Sequence, residues 1–159
     1  MEERKITTIV RTFSYDELPA DLSELCQEAR RASQGAYAKY SNFKVGAAVR
    51  LADGTIAIGS NQENAAYPSG LCAERTALFS AAANNPEAAP EAIAIWAETA
   101  GGQTSSPVPP CGACRQVMTE TEHRYGRPIA VLMCSSRGVD IVESAADLMP
   151  LSFAEDNML

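Results

Sequence analysis

Two short runs of the chain carry residue types that do chemistry: Cys72-Ala73-Glu74-Arg75 and Cys111-Gly112-Ala113-Cys114. A C-x-x-C pair opening a helix serves zinc sites and thioredoxin-like redox sites alike, so the second run alone leaves both open. The first run tips the balance toward metal. If each run begins a helix, two helix N-termini deliver three thiols to one point and leave a fourth position free. Three protein ligands and a water are the pattern of a catalytic zinc. The positive ends of both helix dipoles favour the thiolates. Glu74, two residues past a ligand, then hangs beside the metal without binding it, which is the place for a general acid/base. A structural zinc would instead be closed by a fourth protein ligand. His123, the single histidine, lies nine residues past Cys114 on the same predicted helix, about 14 Å along its axis, and does not easily reach that metal. A redox pair would leave Cys72 and Glu74 without a role. Arg75 either hydrogen-bonds a ligand sulfur and withdraws charge from the three-thiolate site, or turns away from it to solvent or to an acid on a neighbouring turn.

The elements that must position these residues follow from apolar spacing. Residues 5–13 alternate loosely ahead of Pro19, an N-terminal arm or edge strand within residues 1–20. Asp21 and Glu24 resemble a capping box, and Leu22, Leu25, Cys26, Ala29 and Ala32 share one face of a helix over 21–36. Phe43–Leu51 and Thr55–Gly59 are two strands joined by the hairpin signal Asp53-Gly54. An Ala-rich helix starts near Cys72, Glu91–Ala97 is a buried strand, and Gly101–Pro110 is a loop. Pro110 stands where helices begin, so the third helix opens at Cys111 and is broken by Gly126 and Pro128. Ile129–Cys134 and Val139–Val142 are strands, and Ser144 caps a last short helix ending at Pro150. Strands alternating with helices imply an α/β sheet covered on both faces, three layers deep. Cys26 and Cys134 fall on apolar faces and belong to the core.

Composition bounds what such a site can serve. The chain has 159 residues, about one domain's worth, so residues 21–159 are expected to form a single unit. Its 20 acids against 13 bases give a net charge of −7, which repels phosphate backbones and disfavours nucleic acid as a partner. No long apolar run and no leader pattern is present, and five cysteines are an odd number for a disulfide framework. A reduced, cytoplasmic protein without a membrane partner is the expectation.

Several motifs in order extend the two runs: Tyr40-Ser41-Asn42-Phe43-Lys44-Val45-Gly46-Ala47-Ala48, Asn61-Gln62-Glu63-Asn64-Ala65, Pro110 before Cys111, Arg115-Gln116 after Cys114, and Leu148-Met149-Pro150 with Phe153 beyond. With these the chain, from about Leu22 to Asp156, resembles the cytidine deaminase family of small, three-cysteine, usually homotetrameric type. The resemblance implies an α/β/α sandwich with a mixed, about five-stranded central sheet. It implies one Zn2+ per chain on Cys72, Cys111 and Cys114, with Glu74 shuttling protons as cytidine or deoxycytidine is hydrolysed to uridine or deoxyuridine and ammonia. Asn61 and Glu63 match a pair that hydrogen-bonds the ribose, Phe43 matches an aromatic lining the base pocket, and Ala73 joins the substrate contacts. Phe153 matches a residue reaching into a neighbouring subunit's site, Tyr67 lies in a subunit-contact segment, and Arg75 takes the place beside the ligand sulfurs. Gln62 departs from the usual aliphatic residue, and the ribose contacts survive if it faces away from the pocket. Two alternatives stay open: a related base or nucleoside antibiotic as substrate, and a non-catalytic, zinc-containing binding protein. By themselves Asn61 and Glu63 are also ordinary polar residues at a strand end, and Phe43, Tyr67 and Phe153 ordinary aromatics.

Overall fold

The central strands carry apolar residues on both faces, and the chain buries both. In a computed structural model describing residues 1–158, the elements run β1 (Arg11–Phe13), α1 (Ala20–Ser33), β2 (Lys44–Leu51), β3 (Ile56–Ser60) and α2 (Ala73–Asn84). They continue as β4 (Pro90–Thr99), β5 (Gly102–Gln103), α3 (Gly112–Tyr125), β6 (Ala130–Ser135) and β7 (Gly138–Val142). The sheet order is β1-β7-β6-β4-β2-β3, with β5 paired to β4. Only β4 and β6 run parallel, so α3 is the crossover that such a pair requires; the other pairs are antiparallel.

Period-two alternation divides the core into two layers. Ala47, Val49 and Leu51 of β2, Ile93 and Ile95 of β4, and Val131 and Met133 of β6 pack toward Ala73, Ala77, Cys114 and Met118 of α2 and α3. Their neighbours Ala48, Ala94, Trp96, Leu132 and Cys134 pack on the other face with Leu25, Cys26 and Ala29 of α1. The three-layer α/β/α sandwich is therefore the fold. Cys26 and Cys134 are core residues, 2% and 0% exposed.

Seven strands stand where about five were expected. The five are β2, β3, β4, β6 and β7. The others are β1, which pairs along β7 at one edge, and β5, two residues that turn part of the expected 101–110 loop back onto β4. The helix expected over 21–36 occupies Ala20–Ser33 instead, and its capping box does not form. Pro19 is the N-cap, with its ring already holding the φ that a helix entry needs. Asp21 and Glu24 are drawn to Arg50 on β2, at 2.8 and 3.8 Å. Ser144 caps as expected, accepting from the Ala146 amide, but the turn it opens is a 3-10 turn, Ala145–Leu148.

Two glycines set how closely helices approach the sheet. A Cβ on Gly46 of β2 would lie 2.1 Å from the Ala29 carbonyl oxygen of α1, and one on Gly59 of β3 would lie 2.4 Å from the Ala77 nitrogen of α2. Both positions are reserved for a residue without a side chain. No helix among the described residues is long and apolar enough to cross a membrane.

Candidate zinc-binding active site

α2 and α3 begin at cysteines. Cys72 is the N-cap of α2 and Cys111 that of α3, and neither side chain makes the usual capping hydrogen bond. Instead both thiols turn toward Cys114 in the first turn of α3. The Cys72 and Cys111 sulfurs are 3.7 Å apart, those of Cys111 and Cys114 3.5 Å, and all three lie within 4.8 Å of one another. Tetrahedral Zn–S bonds of about 2.3 Å place neighbouring sulfurs about 3.8 Å apart, so the thiols fit one Zn2+ per chain. Among the described residues this is the one cluster of metal-ligating groups. His123, exposed on the last turn of α3, is not part of it.

The electrostatics around the sulfurs are strongly polarised. The hydrogen bond with Cys114, supported by Arg75 and Cys111, outweighs burial and holds the Cys72 thiol down at about 5. Cys114 moves in the opposite direction, pushed up first by its contact with Cys72, then by burial and by the charge of Glu74. Arg75 donates from Nη2 to the Cys72 sulfur at 3.4 Å, and its Nε is buried with no partner. Of the two orientations open to Arg75, the structure takes the one toward the thiols. Glu74 is only 5% exposed, and burial, followed by the charge of Cys72, raises its carboxyl. A carboxyl so shifted beside a metal cluster has the character of a proton-transfer group.

Beside the cluster opens a cavity of about 560 Å³. Of the residues singled out from the sequence, Asn61, Glu63, Tyr67, Cys72 and Arg75 line it. Phe43, Ala73, Glu74, Cys111, Cys114 and Phe153 do not form its wall. Ala73 is buried beneath it, Phe43 is half-buried at the start of β2, and Phe153 is 59% exposed on the C-terminal segment.

Asn61 and Glu63 are both engaged by the 40–45 segment. Asn61 accepts from the Val45 amide at 2.8 Å and donates to the Phe43 carbonyl at 2.9 Å. Glu63 accepts from the Tyr40 amide at 2.7 Å, the Ser41 amide at 3.3 Å and the Ser41 hydroxyl. The Ser41 hydroxyl, before the Tyr40 amide, is the main cause holding the Glu63 carboxyl below the usual range. Gln62 bridges Tyr37 and Leu71 through its backbone and donates to the Ser60 hydroxyl at 3.1 Å, but it lines the cavity rather than facing away from it. Tyr67 stands 76% exposed at the rim, its ring edge-on to Tyr40 with centroids 6.2 Å apart.

Three polar residues without an assigned role tie the C-terminal segment to α3. Arg115 donates to the carbonyls of Pro110 and Leu148, each at 2.8 Å, and Gln116 to that of Phe153 at 2.9 Å. Glu122, 7% exposed, accepts from the Ile129 and Ala145 amides at 2.7 and 2.8 Å. The signal for Glu122 was available in its four-residue spacing from Cys114 and Met118, which puts it on the buried face of α3.

A three-layer α/β/α sandwich that points two helix N-termini at a shared set of three thiols defines a mononuclear zinc-site α/β protein. Within that class, residues 19–126 match the family model described as the cytidine and deoxycytidylate deaminase zinc-binding region. A cytidine deaminase of Halalkalibacterium halodurans is 42% identical over 139 residues, covering 87% of this chain and 98% of that protein. One from Sporosarcina psychrophila is 40% identical over the same span, with 95% of its length covered. A crystal structure of cytidine deaminase from Burkholderia pseudomallei superposes with a TM-score of 0.71 at 45% identity, over 82% of this chain and 97% of that one. The chain belongs to the cytidine and deoxycytidylate deaminase family.

Proposed function

We propose that this protein hydrolyses cytidine and deoxycytidine to uridine and deoxyuridine, releasing ammonia, as a step of pyrimidine salvage. The observation that carries the reading is the buried Glu74 beside three thiols that fit zinc, at the edge of a nucleoside-sized cavity. When bound, Zn2+ lowers the pKa of water from about 15.7 toward 7 and so supplies hydroxide at neutral pH. Cys72, Cys111 and Cys114 hold it. Glu74 takes one proton from the attacking water and passes it to N3 of the cytosine ring; it then takes the proton of the new C4 hydroxyl and gives it to the amino group as the C4–N bond breaks, leaving the carbonyl and ammonia. Arg75 offsets part of the charge on the thiolates from its position against the Cys72 sulfur. In this reading Glu63 and Asn61, which line the cavity, take the sugar, and Phe43 and Ala73, which stand outside its wall, are assigned to the base by the family resemblance.

Phe153 lies outside its own chain's cavity and largely exposed, and Tyr67 is exposed at the rim; both fit a homotetramer in which Phe153 completes a neighbour's site. Residues 21–159 act as one deaminase domain, with residues 1–20 an arm. Five free cysteines fit a reducing, cytoplasmic setting. The test is ammonia release from cytidine by the purified protein, alongside metal analysis. Cys72→Ala, Cys111→Ala and Cys114→Ala are expected to lose both zinc and turnover, and Cys26→Ala and Cys134→Ala to keep zinc. Full zinc in any of the first three, or no ammonia from the parent, overturns the reading.

A further inference from the structure

The polypeptide between Ala38 and Phe43 is held in an unusual shape. Asn42 has φ of 55°, one of two non-glycine residues with positive φ among the described residues. Left-handed backbone costs any residue with a side chain, asparagine least, and persists where surrounding bonds fix it. Here the bonds converge on one hydroxyl. The Ser41 Oγ donates to Glu63 Oε1 and accepts from the Phe43 amide at 3.0 Å. The other carboxylate oxygen of Glu63 accepts the Tyr40 and Ser41 amides, and the Asn42 amide closes the turn on the Ala38 carbonyl at 3.0 Å.

The Ser41 hydroxyl, itself in the cavity wall, thus joins Glu63 of that wall, which the proposed function gives to the sugar, to the backbone of Phe43, which stands outside the wall and which it gives to the base. Glu63 comes from the segment after β3 and Phe43 from the segment before β2, and Ser41 is the side chain that bonds to both. We propose that Ser41 is a positioning residue. It fixes the rotamer of Glu63 and the backbone entry of Phe43 together, so that the carboxylate and the ring are set at one spacing before the nucleoside arrives. The inference rests on the reading that Glu63 and Phe43 contact the nucleoside. A carboxylate locked in advance loses no rotamer freedom on binding, and that preorganisation acts on affinity rather than on the bond-breaking step. Ser41 touches neither the thiols nor Glu74.

The experiment is steady-state cytidine deamination by the zinc-loaded protein carrying Ser41→Ala, Ser41→Thr, Glu63→Ala, and Ser41→Ala with Glu63→Ala. Ser41→Ala is expected to raise KM about tenfold, the scale of one lost hydrogen bond to a charged group, with kcat falling much less. Ser41→Thr, which keeps the hydroxyl, restores KM. In the double variant KM rises by less than the product of the two single effects, because Ser41 acts in part through that carboxylate and in part through the Phe43 amide. Melting temperature and zinc content, measured for all four, show that each protein is folded. An unchanged KM in Ser41→Ala beside a raised KM in Glu63→Ala overturns the positioning role and leaves the proposed function standing. Effects that multiply in the double variant, or a Ser41→Thr protein as impaired as Ser41→Ala, also overturn it. Glu63→Ala with parental KM overturns the sugar contact itself, and Ser41's role falls with it.

Discussion

Glu74 and Glu63 are carboxylates treated oppositely by their surroundings. Glu74 is buried and its carboxyl raised, which suits a group that must accept and release protons. Glu74→Gln is expected to keep zinc and melting temperature while turnover falls about a hundred- to ten-thousandfold, because an amide does not carry the proton. Metal analysis beside a cytidine assay checks this, and near-parental turnover contradicts it. Glu63 is lowered, first by the Ser41 hydroxyl and then by the Tyr40 amide. The fold therefore favours its charged form. That contribution is whole above the ordinary carboxylate value of about 4.3 and is lost only as pH falls through the lower folded value. We expect the Glu63 carboxyl, followed by NMR in the substrate-free protein, to titrate below the pH at which an ordinary glutamate protonates. A midpoint at the ordinary value would show that the 40–41 turn does not hold the carboxylate. The three clustered thiols and Glu74 could be singled out in the sequence because Cys72 to Glu74 and Cys111 to Cys114 each lie within one helical turn, while the roles proposed for them come from the family resemblance. Ser41 was not. Its two partners come from different strand ends, and a serine in a loop carries no mark of which carboxylate it will meet.

Among elements, α2 and α3 give up side-chain caps at Cys72 and Cys111, so their first turns depend on what the thiols bind. The depth of α2 against the sheet is fixed at Gly59, where an added Cβ meets Ala77 and the Ala73 carbonyl at 2.4 and 2.8 Å. Gly59→Ala is expected to cost about 1–3 kcal/mol by overpacking and to weaken zinc retention, because the displaced helix carries Cys72 and Glu74. Gly46→Ala pushes instead on α1, which carries no site residue, and is expected to lower the melting temperature while folded protein keeps its zinc. Calorimetry with metal analysis separates the two, and equal zinc loss in both would deny α2 its special position. The five central strands were legible because β4 and β6 are short continuous apolar runs, as strands buried on both faces are, and because Asp53-Gly54 marks the hairpin of β2 and β3. β5 was not, being two residues in a Gly-rich stretch whose pairing with β4 is a tertiary event. The start of α1 was placed to within a residue, but its capping box does not form because Arg50, distant in sequence, claims the acids expected to make it.

At the scale of the whole molecule, a net charge of −7 bears on which substrates approach. Arg75 is the only positively charged side chain in the cavity wall, and it is committed to Cys72. Cytidine is therefore expected to be used far better than its monophosphate, with little dependence on salt. Equal use of the two in a competition assay would contradict this. Phe153, bonded to α3 through its backbone while its ring stands outward, is placed to act elsewhere than its own cavity. We expect sedimentation to show a tetramer, and Phe153→Ala to raise KM without loss of zinc; a fully active monomer would exclude this. The expectation of such an assembly comes through resemblance, since an aromatic ring in the sequence carries no mark of whether it docks on another chain. The order of pairing in the sheet carries a last consequence, for synthesis on the ribosome. Arg11 pairs with Ile141 and Phe13 with Val139, so the first strand made waits for nearly the last. Both metal-binding runs and the hairpin and crossover that support them have emerged by then. The centre of the protein can condense while the arm is still loose, and the arm closes over β7 as the final step, where the loop-closure entropy of joining distant residues is least because the intervening chain is already folded.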